Sequence, residues 1–531
     1  MQVLNMSKIK SIASIIEKRI LEGKIKNKDD LHKAKLELCR EFKLKHFPKN
    51  SEILKFVKDK YARKFLIKRP VRSLSGIAVV AVMAKPYKCP GKCIYCPESL
   101  IEAEVPKSYT GLEPATMRAL MFKFDPYLQV ENRLRQLEEI GHSTEKIDLI
   151  IMGGTFLAAP KQYQTYFVRE CINAIIGRKF RKFSEAKKAA EKSKRRLIGL
   201  CIETRPDFCK KEHINRMLHL GATRVELGVQ CLDDEVYRKV YRGHTLQDVI
   251  EATQLLKDSA FKVCYHLMPG MPFTTPEKEL KQYRLLFKDE RFQPDMLKIY
   301  PCLVVPNTKL YEMWKKGLYK PLDDKKAAKF IAKLKAFVPK YVRIMRIQRD
   351  ISAKVIAAGV KASNLRQLVQ KEMKRMHIKC RCIRCREAGL KAYKENLKNL
   401  LDEMEITITK YNASNGKEYF IAAENLSKDV LFGFIRLRIP YEPFRKELSK
   451  KSGLVRELHV YSAALPLGKK PSAELLEFQH RGIGKMLLKK AEEIAAEEGM
   501  ENIRILSGIG VREYYRKLGY KLVGAYMGKK L

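Results

Sequence analysis

The sequence predicts an α/β protein: a partial (β/α)6 barrel followed by a smaller α/β domain, with a basic helical region in front. Three patterns predict this. Between 76 and 345, six apolar, β-branched runs alternate with helical patterns, as a parallel sheet with outer helices requires. From about 399 the chain changes to alternating hairpin strands and one glycine-led helix. Before 76 it reads as short helices dense in Lys and Arg.

Taken in order, residues 1–75 end in "FVKDKYARKFLIKRPVR" (56–72), where aromatics alternate with bases. That pattern suits a phosphate backbone with some stacking, and equally a solvated helical face. The six runs of 76–345 are "GIAVVAVMAKP", "IDLIIMGGTF", "RLIGLCIETRPD", "TRVELGVQ", "FKVCYHLMPG" and "MLKIYPCLVV". Six strands suggest an incomplete barrel, whose chemistry would lie at the C-terminal strand ends. Gly153, Gly154, Glu203, Asp207, Gln230 and His266 stand at those ends. The stretch "RKFRKFSEAKKAAEKSKRR" reads as a basic helix on the barrel's outside. Residues 346–398 form a basic, mostly helical linker holding "HIKCRCIRC". In 399–531, "EITITKYNASNGKEYFIAAE" predicts a hairpin around Asn415 and Gly416, with further strands in "VLFGFIRLRI" and "LVRELHVYSA".

Composition narrows the classes. A chain of 531 residues is too long for one core, so about three or four domains are expected. No apolar run approaches the roughly 20 residues of a membrane span, and the first residues lack a signal peptide's apolar stretch, so a cytoplasmic protein is expected. Lys and Arg number 107 against 60 Asp and Glu, a formal charge of +47. A polyanion, most simply nucleic acid, is the expected partner. A lysine-rich proteome from a hot habitat would raise Glu as well, which this excess of bases does not show.

Thirteen cysteines in a cytosolic chain point away from a disulfide framework. Three crowd into "KCPGKCIYCPES" as Cys89, Cys93 and Cys96, spaced C-x3-C-x2-C. Thiolates so arranged hold zinc or an iron–sulfur cluster, and three of them leave one metal position free of protein. A second group, Cys380, Cys382 and Cys385 with His377 nearby, suits a structural Zn²⁺; a remote fourth ligand, idle thiols or a redox role are the alternatives.

"QHRGIGKMLL" places Gln479, His480, Arg481, Gly482, Ile483, Gly484 and Lys485 at a helix start. Glycines there bare backbone N–H groups at the positive end of the helix dipole, which makes a pyrophosphate cradle.

These motifs carry a resemblance. C-x3-C-x2-C opening a partial barrel, Tyr95 before the last cysteine, and "MGGTF" after the second strand resemble the radical S-adenosylmethionine superfamily. "SYTGLEPATMRAL", "ETRPD", "VELGVQ", "HLMPGMP" and "LKIYP" are similar to the elongator catalytic-subunit family, over nearly the whole chain. The glycine-led helix, the strand "ELHVYS" and "SGIGVREYYRKLGY" resemble the GNAT acetyltransferases. The resemblance implies a [4Fe–4S] cluster on Cys89, Cys93 and Cys96, with S-adenosyl-L-methionine at the open iron and against Gly153, Gly154, Thr155, Glu203, Arg205, Gln230 and His266. It implies acetyl-CoA as co-substrate, its pantetheine along 454–462 past Leu458 and Val460, and its thioester near Tyr514 and Tyr515. Adjacent helical residues point about 100° apart, so one tyrosine should face the ligand and the other pack. Glu457 or His459, sharing one strand face, could act as a base.

The implied activity is tRNA modification: a 5′-deoxyadenosyl radical, acetyl-CoA and an external electron donor building 5-carboxymethyluridine at the wobble position of an anticodon stem-loop. The alternatives are a protein lysine acetyltransferase with a vestigial radical domain and a non-catalytic tRNA-binding scaffold. The chain departs from the family pattern in one loop: the gap between its first two cysteines is shorter, and Pro97–Glu98–Ser99 follows the third where the family has Pro-Gly-Gly.

Overall fold

The structure is a computed structural model that describes residues 2–44, 46–67, 76–348, 351–395, 403–461 and 482–531. Four helices, Gln2–Leu21, Lys28–Glu41, Asn50–Leu54 and Lys60–Leu66, begin the chain. Ile12, Ile16 and Ile20 recur every four residues on the first and pack with Leu31, Leu38, Ile53 and Phe65. Asn27 and Asp59 start the second and fourth helices by accepting backbone N–H bonds, from Asp29 and Asp30 and from Tyr61 and Ala62.

The central sheet has seven parallel strands in sequential order: β1 (Ala78–Met83), β2 (Lys146–Met152), β3 (Arg196–Thr204), β4 (Arg224–Gln230), β5 (Lys262–Leu267), β6 (Met296–Ile299) and β7 (Arg343–Ile347). Six of them are the predicted apolar runs. The seventh, "RIMRI", makes the sheet a seven-stranded half-barrel instead of a (β/α)6 one. It lacks a continuous apolar run because it is an edge strand: Arg343 turns outward, donating to the Tyr461 hydroxyl at 2.6 Å and pairing with Glu387 at 2.7 Å.

A second sheet of seven strands follows: β8 (Glu405–Ala413), β9 (Gly416–Asn425), β10 (Val430–Ile439), β11 (Ser452–Val460), β12 (Asn502–Ile505), β13 (Lys521–Val523) and β14 (Tyr526–Lys530). Its order is β13-β14-β12-β11-β10-β9-β8. The turn of the β8–β9 hairpin lies one position earlier than the sequence suggested. Ala413 pairs with Gly416, so Ser414 and Asn415 form the turn, with φ of 46° and 61°. Gly416 serves packing, since a methyl there would strike the Arg438 guanidinium.

The two sheets are joined across a buried, charged seam. Arg456 and Arg438 of the second sheet reach Asp295 and Asp258 of the barrel, at 2.6 and 2.7 Å. Tyr341 stacks on Tyr411 with ring centroids 3.9 Å apart. The predicted outer helix is Phe183–Glu191, and its Glu191 accepts from Arg512 and Arg516 at 2.7 and 2.6 Å. Gly508 and Gly510 let the "SGIG" loop lie against β3, where methyls would strike the backbone of Ile198 and Leu197. Among the described residues no helix is long and apolar enough to cross a membrane.

Candidate active site

A cavity of about 220 Å³ opens at the C-terminal ends of the barrel strands. Cys89, Cys93 and Cys96 line it, together with Gly154, Thr155, Glu203, Arg205, Gln230 and His266. Segments far apart in sequence converge there because parallel strands put all their C-termini on one rim. Gly153, with φ of 126°, does not line the cavity; it lies behind it against Ala84.

The floor is charged and buried. Arg224 pairs with Asp148 at 2.9 Å, His266 with Glu226 at 2.8 Å, and the Lys298 ammonium bridges Glu226 and Glu203. Burial would raise the Glu226 carboxyl, but the Lys298 ammonium first, then the His266 hydrogen bond and Arg224, hold it well below the usual range. Glu226, Cys264 and His266 come within 4.8 Å of one another as a metal group would. The Lys298 ammonium already occupies the carboxylate, so a cation is in place. At the wall, Glu113 accepts from Thr110 N, Thr110 Oγ1, Gly111 N and Thr116 Oγ1 at 2.7–3.2 Å, which fixes the "SYTGLEPATMRAL" turn.

The two cysteine groups differ in geometry. Cys380, Cys382 and Cys385 bring their sulfurs within 4.8 Å of one another, and the Lys335 ammonium donates to Cys385 at 3.6 Å. His377 is exposed, has φ of 54°, and lies outside this group. The group sits on the seam between the sheets: Ile383 N donates to Val342 O at 3.0 Å, and Arg386 pairs with Glu424. Cys89, Cys93 and Cys96 are not drawn so tightly. A single tetrahedral Zn²⁺ at about 2.3 Å from each sulfur holds thiolates about 3.8 Å apart. Buried donors without partners face the same region: Arg205 Nη1, Arg242 Nε and the Tyr95 hydroxyl. A methyl on Gly91 would strike the Arg205 guanidinium, so the cysteine loop and this donor lie against each other. Burial pushes the Cys96 thiol up to about 11, a cost that a bound metal would remove.

The second sheet opens where a thioester ligand would enter. β11 pairs with β12 only from Ser452 to Val455 but with β10 as far as Val460, so β11 and β12 part beyond Val455. Leu458 and Val460 lie on the side of the helix Ile483–Glu497. That helix starts at Gly482, whose φ of 72° turns the chain. A methyl on Gly484 would meet the Tyr514 hydroxyl at 3.1 Å, so this tyrosine stands beside the helix start. Tyr515 is buried in the core against Tyr520. Glu457 and His459 occupy the opposite face of β11, toward the barrel. Glu457 accepts from Arg436 at 2.9 Å, and His459 packs on Phe434 and Tyr461. Burial lowers His459 to about 4, so it is neutral at physiological pH. Lys485 lies in the first turn of the helix, while Gln479, His480 and Arg481 fall outside the described residues.

Sequence reasoning missed Tyr109, Glu226, Arg242 and Tyr300 in the barrel cavity. "VELGVQ" contained the clue to Glu226, since a carboxylate inside a buried strand needs cationic partners.

A parallel half-barrel with cysteines at its rim, fused to a splayed mixed sheet, defines a radical S-adenosylmethionine domain joined to a GNAT acetyltransferase domain. The matching families agree: Radical SAM superfamily over 85–285, Radical_SAM C-terminal domain over 294–375, Acetyltransferase (GNAT) family over 387–520 and ELP3 N-terminal domain over 9–74. The chain is 51% identical to the tRNA uridine(34) acetyltransferase of Methanocaldococcus infernus, covering 98% of this chain and 99% of that one. It is 41% identical to human Elongator complex protein 3, covering 97% and 96%. The solved structure of the archaeal M. infernus Elp3 with an N-terminal deletion shares 49% identity, covers 86% of this chain and all of its own, and superposes with a TM-score of 0.77. The chain belongs to the tRNA uridine(34) acetyltransferase and Elongator complex protein 3 family. Its radical S-adenosylmethionine membership implies a [4Fe–4S] cluster and S-adenosylmethionine, and its GNAT domain implies acetyl-CoA.

Proposed function

We propose that this protein is a tRNA-modifying enzyme that forms 5-carboxymethyluridine at the anticodon wobble uridine. The convergence of Cys89, Cys93 and Cys96 with Gly154, Glu203, Arg205, Gln230 and His266 in one cavity, in the same chain as an opened acetyltransferase sheet, carries this reading. When bound, the cluster and S-adenosylmethionine would supply a 5′-deoxyadenosyl radical able to take hydrogen from the acetyl methyl group, the activation that joining that carbon to C5 of uridine requires.

The chain's own residues bind and orient. Cys89, Cys93 and Cys96 hold the cluster. Gly154 and Thr155 admit the amino-acid end of the cofactor to the backbone, with Gly153 shaping the turn behind them, while Arg205, whose Nη1 lacks a partner, takes its carboxylate. Glu203, Gln230 and His266 line the remaining wall. The bared strand Leu458–Val460, the helix start at Gly482, Ile483, Gly484 and Lys485, and the preceding Gln479, His480 and Arg481 hold acetyl-CoA, with Tyr514 beside the thioester. Glu457 or His459 serves as base for hydrolysis from the barrel-facing side. Cys380, Cys382 and Cys385 bind a structural Zn²⁺ that staples the seam, with a remote group as its fourth ligand. The basic residues of 1–75 and of the linker hold the anticodon stem-loop in the cytoplasm.

Cys93→Ala tests the reading: it should abolish modified nucleoside while leaving acetyl-CoA binding intact. Product formed by this variant would refute the assignment. Metal analysis tests the seam: about one zinc per chain is expected, lost in Cys382→Ser, and a zinc-free protein of unchanged stability would refute that part.

A further inference from the structure

The cysteine loop has a charged neighbour with no carboxylate. Arg242 lies on the turn that follows the helix Asp234–Lys239 and is 9% exposed. Its Nη2 donates to Gly228 O at 2.5 Å and its Nη1 to Cys93 Sγ at 3.6 Å. Gly228 is bare for this reason, since a methyl there would strike the guanidinium. The loop is tied to the same turn through its backbone, Ile94 N donating to Val240 O at 3.2 Å.

A buried charge without a counter-ion is costly, so charges inside proteins are paired. Arg205, another guanidinium at this rim, has Asp207 at 2.8 Å, whereas the partners of Arg242 are a carbonyl and a thiol. The neighbouring His244 does not supply charge: burial lowers it to about 2, and both ring nitrogens lack partners. Arg242 is thus built to face negative charge arriving at Cys93.

We propose that Arg242 is a positioning residue that serves as the counter-ion of the cluster at Cys93 and raises its reduction potential. This rests on the cluster assigned to Cys89, Cys93 and Cys96 above. A cluster gains one negative charge when it takes an electron from an external reductant, and a guanidinium hydrogen-bonded to a ligand sulfur stabilises that reduced form more than the oxidised one. Arg also forks between carbonyl and sulfur in a way that a lysine ammonium cannot reproduce.

The test is an anaerobic redox titration of the reconstituted full chain with dithionite, followed by the paramagnetic resonance of the reduced cluster. In Arg242→Gln with full iron and sulfide, the reduced-to-oxidised ratio at a fixed potential should fall about tenfold, a drop of about 59 mV for one electron. Arg242→Lys should fall between the two, and it replaces the Gln variant if that one holds no cluster. A cluster-bearing variant that titrates at the parent midpoint would overturn the proposal. So would loss of the cluster from both variants with acetyl-CoA binding intact, since Arg242 would then be a structural strut of the loop. A parent chain that takes up no cluster would instead defeat the proposed function.

Discussion

Arg456 of β11 grips Asp295 of the barrel with both terminal nitrogens, each at 2.6 Å, and both side chains are fully buried. Lys257, Glu418 and Arg436 complete the group. Burial alone would push the Asp295 carboxyl up, but Arg456 and Lys257 hold it well below the usual range. Asp295→Ala would strand these cations, a loss of about 3–5 kcal/mol. The depressed carboxyl stabilises the fold above its unfolded value near 3.9 and loses that contribution as pH falls toward its folded value. Thermal unfolding should show the variant melting earlier at pH 7, with the deficit shrinking in strong acid. Equal melting of both proteins at pH 7 would contradict the seam's role.

Glu279 titrates in the opposite sense. It is buried and accepts from Gly270 N and Met271 N in the "HLMPGMP" loop, and burial raises it to about 7. Its folded value lies above its unfolded one, so the folded chain holds the extra proton between about 4.3 and 7 and stability falls as pH rises through that window. Glu279→Gln keeps an acceptor and removes the proton, so its melting temperature should depend less on pH from 5 to 7. A parent and variant with parallel pH profiles would refute the burial argument.

The adjacent tyrosines should separate in experiment as they do in space. Tyr514→Phe should lower acetyl-CoA hydrolysis in the presence of RNA by about tenfold or more with little change in melting. Tyr515→Ala should cost about 3–5 kcal/mol of stability because it empties a core position. Reversed effects would mean that the ligand lies on the other face of the helix.

The excess of bases predicts salt-sensitive RNA binding. If six or more phosphates are contacted, anticodon stem-loop affinity should fall by about a thousandfold between 50 and 200 mM salt. A flat response, measured by fluorescence anisotropy, would remove nucleic acid as the reason for the +47 charge.

What was legible in the sequence was what repeats locally. Six apolar runs and their polar ends located the barrel rim, because strand period and turn chemistry are short-range signals. Arg242 and Glu226 were not legible: Arg242 meets Cys93 across 149 residues, and no spacing encodes that contact. β7 escaped because Arg343 is satisfied by Tyr461 of the other domain and Arg346 lines the cavity, so neither position needs to be apolar. Alternation placed Glu457 and His459 on one face of β11, but only packing reveals that this face meets the barrel. The sequence grouped His377 with the second cysteine cluster by proximity, whereas a left-handed backbone at His377 leaves its side chain exposed.

The central claim is tested most directly by nucleoside mass spectrometry. The reconstituted chain, incubated anaerobically with anticodon stem-loop RNA, S-adenosylmethionine, acetyl-CoA and dithionite, should yield 5-carboxymethyluridine and 5′-deoxyadenosine. No C5-modified uridine, with the cluster shown intact by its spectrum, would contradict the account.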